Sequence, residues 1–289
     1  MSETKTAYVA TTSAAKPKRE ESSHWYTLDG QPCHELPAKK GGMKKVTLRA
    51  ARELRLLPSV TSILKDVLAA PQLTDWLIER AVMATQTTPR EQGEELDAFI
   101  ERAIALADAE QAEAMDLGTR IHAAIEGWLT GSAEATSPEL LPFVQPVFDW
   151  FTKSGETVVS CESVLVGGGY AGRCDLISRE NGSDYVVDFK STKTKPATKD
   201  AYIGGYPSHV CQIGAYARCH HQRTSRLVIT RNVYISTTEP GRIVVREYPE
   251  WQDAWLAFER LMEVWFWLKK YDPRKPSETV EQQLDKAGL

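Results

Sequence analysis

The sequence has few cysteines and none of them are closely paired. Its five cysteines are Cys33, Cys161, Cys174, Cys211 and Cys219, and no two of them form a C-x-x-C motif. This scattered, odd-numbered set argues against a disulfide framework, a zinc ribbon and a four-cysteine cluster of ordinary spacing. We therefore expect reduced thiols, as in a cytoplasmic protein.

Long apolar runs are also lacking. No run approaches the roughly 20 apolar residues that a membrane-spanning helix needs. Residues 1–23 are rich in Ser, Thr, Lys and Glu and have no apolar core of the kind found in secretory signals. We expect these residues to form a flexible tail, and we expect a cytoplasmic protein without membrane contacts.

The chain has no strong charge of one sign. Its net charge is −4 over 289 residues, so it is not a polycation of the kind that coats nucleic acid. Locally, residues 34–55 hold seven Lys and Arg against two Glu, whereas 91–116 is acidic. A basic groove on an acidic body would explain this asymmetry, and two solvated surfaces would explain it equally well.

Residue periodicity predicts the order of the elements. Pro58 and Ser59 precede a helical run, Pro71 restarts one, and a third helix is predicted over 94–129, with Gly131 as its stop. From residue 138 we predict a helix over 140–153, three strands (TVVSCESVLVG, YAGRCDLIS and YVVDFKST), a helix around SHVCQIGAYARCHH, and the strands RLVITRNVYIS and RIVVREY. A last helix over 251–270 carries aromatic residues at helical spacing, which is typical of a packing face.

An Asn-Gly pair predicts how the second and third of these strands meet. Asn181-Gly182 between two strands is a strong signal for a two-residue hairpin turn, because both positions favour positive φ. Counting outward from this turn places Asp175 opposite Asp188, with Cβ atoms roughly 5 Å apart. Period-two alternation adds Lys190 to the same face. The other face would then hold the apolar residues Cys174, Leu176, Tyr185, Val187 and Phe189.

Two opposed carboxylates repel each other. A shared proton, solvent or a bound cation would reduce this repulsion, and a sheet edge with its charges in water remains an alternative. A cation is the most economical explanation if further donors lie nearby, and Glu162 on the first strand is one candidate. Oxygen ligands alone favour a hard ion such as Mg²⁺ or Mn²⁺.

These residues resemble the PD-(D/E)XK nuclease superfamily. The segments GGGYAGRCDLI and VVDFKST are similar to its paired acid and D/E-x-K motifs. His122 in GTRIHAAIEGWL, and Gln212 with Tyr216 in QIGAY, are similar to the additional motifs of the RecB-like branch. No proline precedes Asp175, and Asp188 replaces the Glu of many relatives. The cysteines of iron-sulfur relatives and a Walker A motif are missing, so neither a cluster nor a built-in motor is expected.

The resemblance implies an α/β fold with a restriction-endonuclease-like core (helix, three strands, helix, strand), an N-terminal helical region and a C-terminal helix. The expected division is a flexible tail at 1–23, a helical region along a DNA groove at 24–135, the nuclease core at 136–249, and a packing helix with a tail at 250–289.

The resemblance also implies the roles of individual residues. Asp175, Asp188, His122 and the backbone carbonyl of Phe189 are expected to hold Mg²⁺, with Mn²⁺ as a substitute, and Lys190 is expected to orient or deprotonate the attacking water. Glu162 is either a ligand through water or the partner of a neighbouring arginine. Gln212 and Tyr216 are expected to arrange the site. The expected phosphate contacts are Arg173, Lys193, Lys195 and Lys199.

The function that follows is a Mg²⁺-dependent DNA exonuclease of recombination, repair or phage replication. It would act on single- or double-stranded ends, with a recombination or single-strand-binding protein as a candidate partner. A structure-specific endonuclease, such as a resolvase or a flap cutter, uses the same chemistry. A catalytically inactive nucleic-acid-binding protein on the same fold is disfavoured, because Asp175, Asp188 and Lys190 are all present. A metabolic metalloenzyme lacks support from a second His-rich or Gly-rich motif.

Overall fold

The computed structural model describes residues 24–38, 41–68, 71–132, 136–194 and 205–275. The strands are β1 (Trp25–Tyr26), β2 (Glu35–Pro37), β3 (Met43–Lys45), β4 (Leu57–Pro58), β5 (Thr157–Val166), β6 (Ala171–Glu180), β7 (Ser183–Thr192), β8 (Val228–Ser236) and β9 (Ile243–Tyr248). The helices are α1 (Leu48–Leu54), α2 (Val60–Val67), α3 (Pro71–Thr87), α4 (Leu96–Thr130), α5 (Leu141–Ser154), α6 (Pro207–Thr224) and α7 (Trp251–Lys269). The predicted tail at 1–23 lies outside the described residues.

A mixed five-stranded sheet forms the centre of the fold. Its order is β5-β6-β7-β8-β9. Neighbouring strands are antiparallel except β7 and β8, which run parallel. A parallel pair needs a crossover connection, and α6 provides it. The predicted order of helix, three strands, helix and strand is confirmed by α5, β5, β6, β7, α6 and β8, and the fold is α/β as expected.

Helices cover both faces of this sheet. On one face, Ile121 and Ile125 of α4 and the apolar residues of α5 pack against Leu176, Val187 and Phe189. On the other face, residues from α2, α6 and α7 pack around Ile177 and Val186. Burial of both faces explains why Tyr185, Val186 and Val187 are consecutive apolar residues in β7.

The hairpin turn has the predicted form. Asn181 and Gly182 have φ values of 49° and 82°, and β6 pairs with β7 from Glu180–Ser183 to Leu176–Val187. Asp175 and Asp188 follow one position beyond that last pair. The turn chemistry therefore set the register correctly.

The predicted placement of Cys174 is wrong. Leu176, Tyr185, Val187 and Phe189 lie together in the cluster on the α4–α5 side, but Cys174 packs with the cluster on the α6 side. The strands lose their regular form here, because the β6–β7 register pairs stop at Leu176 and Glu162 on neighbouring β5 has φ of 48°. Period-two alternation does not continue through such an irregularity.

The N-terminal region contains strands as well as helices. β1 pairs with β4, and β2 pairs with β3, in two small antiparallel sheets. The side chain of Ser59, directly after β4, caps α2 by accepting a hydrogen bond from the Ser62 backbone N–H at 2.9 Å. This region brings its own side chains to the cleft described below. In the described ranges, no helix is long and apolar enough to cross a membrane.

Candidate active site

Two carboxylates lie where β6 and β7 leave their regular ladder. Asp175 is on β6 and Asp188 is on β7. Oδ2 of Asp175 accepts a hydrogen bond from the backbone N–H of Phe189 at 2.7 Å. The Asp175 side chain is 15% exposed and that of Asp188 is 2% exposed. The hairpin therefore holds both predicted acids next to each other and largely away from water.

Asp188 has a cationic partner on its own strand. Nζ of Lys190 lies 2.6 Å from Oδ2 of Asp188, and the lysine side chain is 21% exposed. Alternation along β7 puts both side chains on one face, as the sequence predicted. The ion pair compensates the buried charge of Asp188.

Helix α6 adds an amide and a phenol to this pair. The side-chain amide of Gln212 donates to Oδ1 of Asp188 at 3.0 Å and to the Tyr216 hydroxyl at 3.1 Å, and its oxygen accepts from Lys190 at 3.0 Å. Gln212 and Tyr216 are four residues apart and share one helix face. A Cβ on Gly172 of β6 would lie 2.6 Å from the Tyr216 ring, so only glycine allows this approach.

The surroundings of Asp175 disfavour its ionisation. Burial and the nearby charge of Asp188 raise the pKa of Asp175 well above its usual value. Burial alone would lower the pKa of Lys190, but the charges of Asp188 and Asp175 outweigh it, so that the lysine pKa is raised. Desolvation alone would have lowered the lysine pKa and favoured a neutral amine. The raised pKa instead favours a charged ammonium over a neutral base at this position.

His122 reaches the acids from α4 on the other face of the sheet. Its Nδ1 lies 3.7 Å from Oδ2 of Asp175, which is too long for a hydrogen bond. Burial is the main cause that lowers the pKa of His122, so the imidazole is neutral near pH 7. A Cβ on Gly118 would lie 2.6 Å from the Ser191 Oγ, which shows how closely α4 approaches β7.

Glu162 pairs with the neighbouring arginine. Nε of Arg173 lies 2.6 Å from Oε2 of Glu162, and these side chains are 62% and 19% exposed. Of the two arrangements considered for Glu162, the structure has the arginine pair. Burial raises the pKa of Glu162, with Arg173 opposing this and Glu126 adding to it.

The predicted phosphate contacts are only partly described. Lys193 is exposed just beyond β7. Lys195 and Lys199 lie outside the described residues. Arg173 lines the cleft that contains Asp175.

A cleft of about 810 Å³ opens onto this group of residues. The predicted residues along it are His122, Glu162, Arg173, Asp175, Gln212 and Tyr216. The N-terminal region contributes His24, Tyr26, Pro32, His34, Ser59 and Thr61. Asp188 and Lys190 do not line the cleft, but both contact Gln212, which does.

The donor chemistry suits a hard divalent cation. Asp175 is a buried carboxyl group whose pKa is raised by burial and by the charge of Asp188, so that a bound cation would favour its ionised form, and His122 is a neutral imidazole beside it. The ligand set is not assembled, however. Over the described ranges, no three His, Cys, Asp or Glu side chains are arranged so that they could hold a metal ion. The Asp188 carboxylate is bonded instead to Lys190, Gln212 and Asn232.

Three further features of the site were not found from the sequence. Asn232 on β8 donates to Oδ2 of Asp188 at 3.1 Å. Glu126, one turn after His122, lines the cleft, and its i, i+4 spacing from His122 was a signal that could have found it. His24 and His34 also line the cleft, and their ring centroids lie 4.7 Å apart.

A mixed sheet between helical layers, with an acid on one hairpin strand and an Asp-x-Lys on the next, defines a class of nuclease folds. The PD-(D/E)XK nuclease superfamily matches residues 72–263, which is more than half of the chain. The chain belongs to this superfamily. Its members are nucleases that usually use divalent metals, and nucleic acid is the substrate that membership implies.

Two solved structures show weaker similarity. One is a "Putative exonuclease" from Eubacterium rectale, with 17% identity over 58% of this chain and 71% of the other, at a TM-score of 0.38. The second, SSO0001, has 18% identity over 69% of this chain and 88% of the other, at a TM-score of 0.26. Similarity this low supports no statement about activity. None of the curated proteins compared with the chain matches it.

Proposed function

We propose that the protein is a Mg²⁺-dependent DNA exonuclease of the RecB-like branch, acting in recombination, repair or phage replication. The observation that carries the proposal is the connected group of Asp188, Lys190, Gln212 and Tyr216 beside Asp175. Superfamily membership alone implies a nuclease. The RecB-like assignment rests on the additional motif residues, and the contacts of Gln212 with both members of Asp-x-Lys support it.

The acids and the imidazole would hold the cation. Asp175, Asp188, the Phe189 carbonyl and His122 are the proposed ligands for Mg²⁺, with Mn²⁺ as a substitute. When bound, such an ion polarises the phosphoryl oxygen and lowers the pKa of a water molecule. Burial disfavours the charged form of Asp175, and a bound cation would favour the ionised carboxylate and strengthen its interaction with the ion, because few water molecules compete there.

Lys190 supplies a positive charge close to the acids. In the proposed mechanism its ammonium orients the attacking water and offsets the negative charge that develops on the phosphate. Gln212 holds the ammonium from one side and Asp188 holds it from the other. Tyr216 in turn accepts from Gln212 and fixes the orientation of that amide.

Arg173 is the best-placed group for a backbone phosphate of the substrate. It lines the cleft, is 62% exposed, and is held by Glu162 at 2.6 Å. Glu162 thereby acts as a positioning residue for the guanidinium. Lys193 adds an exposed positive charge beyond the end of β7.

Two substitutions test the chemistry. Asp188→Asn keeps the side-chain shape but removes its negative charge, and Lys190→Met removes the ammonium. We expect each to lower Mg²⁺-dependent cleavage of linear DNA by about 100-fold or more. Glu247→Gln is the matched control, since Glu247 lies on the edge strand β9, pairs with Arg231 and does not line the cleft. Circular dichroism and the thermal unfolding temperature check that each variant is folded. Folded variants that cleave within about twofold of wild type would overturn the proposed roles.

A second experiment separates the two kinds of nuclease. End-labelled linear DNA and covalently closed circular DNA are incubated with Mg²⁺, Mn²⁺ or EDTA. An exonuclease degrades the linear substrate and leaves the closed circle intact, and EDTA stops the reaction. Cleavage of the circle at a comparable rate contradicts the exonuclease proposal and favours a structure-specific endonuclease.

A further inference from the structure

Two histidines form a stacked pair on the N-terminal wall of the cleft. The imidazole rings of His24 and His34 have centroids 4.7 Å apart and an interplanar angle of 27°. Both residues line the same cleft as Asp175 and Arg173. His24 is exposed and His34 is half-buried. His24, the more exposed of the two, therefore presents part of its surface to the cleft, where another flat group can contact it.

The pair is held rigidly from behind. Nδ1 of His34 accepts the Trp25 backbone N–H at 3.1 Å, and the ring of Tyr26 meets that of His34 edge-on, with centroids 5.4 Å apart. The backbone N–H of His24 donates to the Ser62 hydroxyl at 3.1 Å, and its carbonyl accepts the Ser59 N–H at 2.9 Å. Trp25 and Tyr26 are buried, so this short strand cannot move without opening the core.

The two rings are uncharged near neutral pH. Partial burial, even at the more exposed His24, is the main cause that lowers the pKa of both histidines, and the charge of Arg173 lowers both further. A neutral imidazole pair is a poor partner for phosphate but a good partner for a nucleobase, because flat rings stack whatever the base. Arg173, which lines the same cleft, is suited to the phosphate.

We propose that His24 and His34 form a stacking platform for one unpaired nucleobase of the substrate, next to the phosphate in the cleft. This inference depends on the proposed function in one respect only, namely that the substrate is a nucleic acid. An internal base of a duplex has both faces covered by its neighbours and cannot stack on His24, so the platform favours single strands and frayed ends, where a base is unpaired. The preference is for an unpaired end regardless of its sequence.

Binding without cleavage tests the platform separately from the chemistry. A fluorescein-labelled oligodeoxyadenylate is titrated with the full-length protein in EDTA, and its anisotropy is measured. We expect His24→Ala to weaken binding by about tenfold, within the range known for loss of one stacked base. His24→Phe keeps a flat ring and should bind within about twofold of wild type. His221→Ala is the matched control, since His221 does not line the cleft.

Altering the DNA gives a second test, whose first arm uses only the wild-type protein. A single abasic site is moved along the oligonucleotide, and one position should weaken binding to wild type by about tenfold. The same abasic site should not weaken binding to His24→Ala further. If every position weakens both proteins equally, or if His24→Ala binds like wild type, the platform is wrong even where Mg²⁺-dependent cleavage is intact. A normal binding result with no cleavage under any divalent ion would instead overturn the proposed nuclease function.

Discussion

Asn232 is the residue that ties β8 to the candidate active site. It is fully buried, and its Nδ2 donates to Oδ2 of Asp188 at 3.1 Å, while its own Oδ1 has no hydrogen-bond partner among the described residues. A buried oxygen without a partner costs free energy. Asn232 is therefore better explained by its effect on Asp188 than by stability alone, and we regard it as a positioning residue.

Replacing this amide tests that role. We expect Asn232→Ala to lower kcat by about tenfold with little change in KM for DNA, and to raise the Mg²⁺ concentration needed for half-maximal cleavage, because Asp188 loses one of its donors. Thr230→Ala is the control, since Thr230 is equally buried on the same strand and bonds the Tyr248 carbonyl. Thr230→Ala should lower the unfolding temperature without moving the Mg²⁺ dependence. An unchanged Mg²⁺ dependence in Asn232→Ala would leave the residue with a structural role only.

Local spacing made some of the site residues predictable. Asp175, Asp188 and Lys190 follow from one turn and from strand alternation, and Gln212 with Tyr216 follows from helix spacing. Asn232 does not follow from local spacing. It lies beside Asp188 because β7 and β8 pair in parallel through the α6 crossover, and this long-range pairing leaves no local sequence signal. His24 and His34 meet only through the small N-terminal sheets, so their contact was equally hidden.

The β6–β7 hairpin is the element on which the site depends. Its turn uses Gly182 at φ of 82°, and a Cβ there would meet nothing within 4 Å. Any cost of a side chain at this position is therefore a backbone cost, not a packing cost. A shift in register at the turn would also separate Asp175 from Asp188.

A pair of glycine substitutions measures this backbone cost. Gly182→Ala should lower the free energy of unfolding by about 1 kcal/mol, because alanine disfavours positive φ. Gly168→Ala is the matched control, since Gly168 is also exposed with open space at its Cβ but does not have positive φ. Urea unfolding of both variants gives the comparison. Equal stability of the two variants would show that the turn does not need a left-handed residue.

The elements differ in how far their sequence determined them. The long strands and helices from residue 140 onward were predicted closely, since each has a clear period or a stop residue. The strands β1 to β4 were missed because two or three residues are too short to show a period. The assignment of Cys174 failed for a different reason, namely that tertiary packing imposed an irregular backbone on regular-looking strands.

At the scale of the whole molecule, the buried carboxylate of Asp184 joins the central sheet to helix α6. Asp184 lies at the start of β7, near the β6–β7 turn and away from the candidate active site. Asp184 has no exposed side-chain surface and contacts Arg179 at 2.6 Å, Arg226 at 3.0 Å and His220 at 2.8 Å. These partners come from β6, from the loop before β8 and from α6. Burial opposes ionisation of Asp184, but the hydrogen bonds from Arg179 and His220 and the arginine charges outweigh it and lower its pKa from 3.8 to about 2.

This shift predicts how acid should weaken the fold. Because the folded-state pKa of Asp184 lies below the unfolded value, the native protein binds fewer protons between about pH 4 and pH 2, and stability falls as pH falls through that window. The stabilisation present above the window is about 2 kcal/mol. Asp184→Asn should therefore be less stable than wild type at pH 5, and the difference in urea-unfolding free energy should shrink by about 2 kcal/mol towards pH 2.

Asp29→Asn, at an exposed position, is the control and should differ little from wild type at either pH. A difference between Asp184→Asn and wild type that stays constant from pH 5 to pH 2 would mean that the charge of Asp184 does not stabilise the fold, and that its contacts act through packing and neutral hydrogen bonds alone.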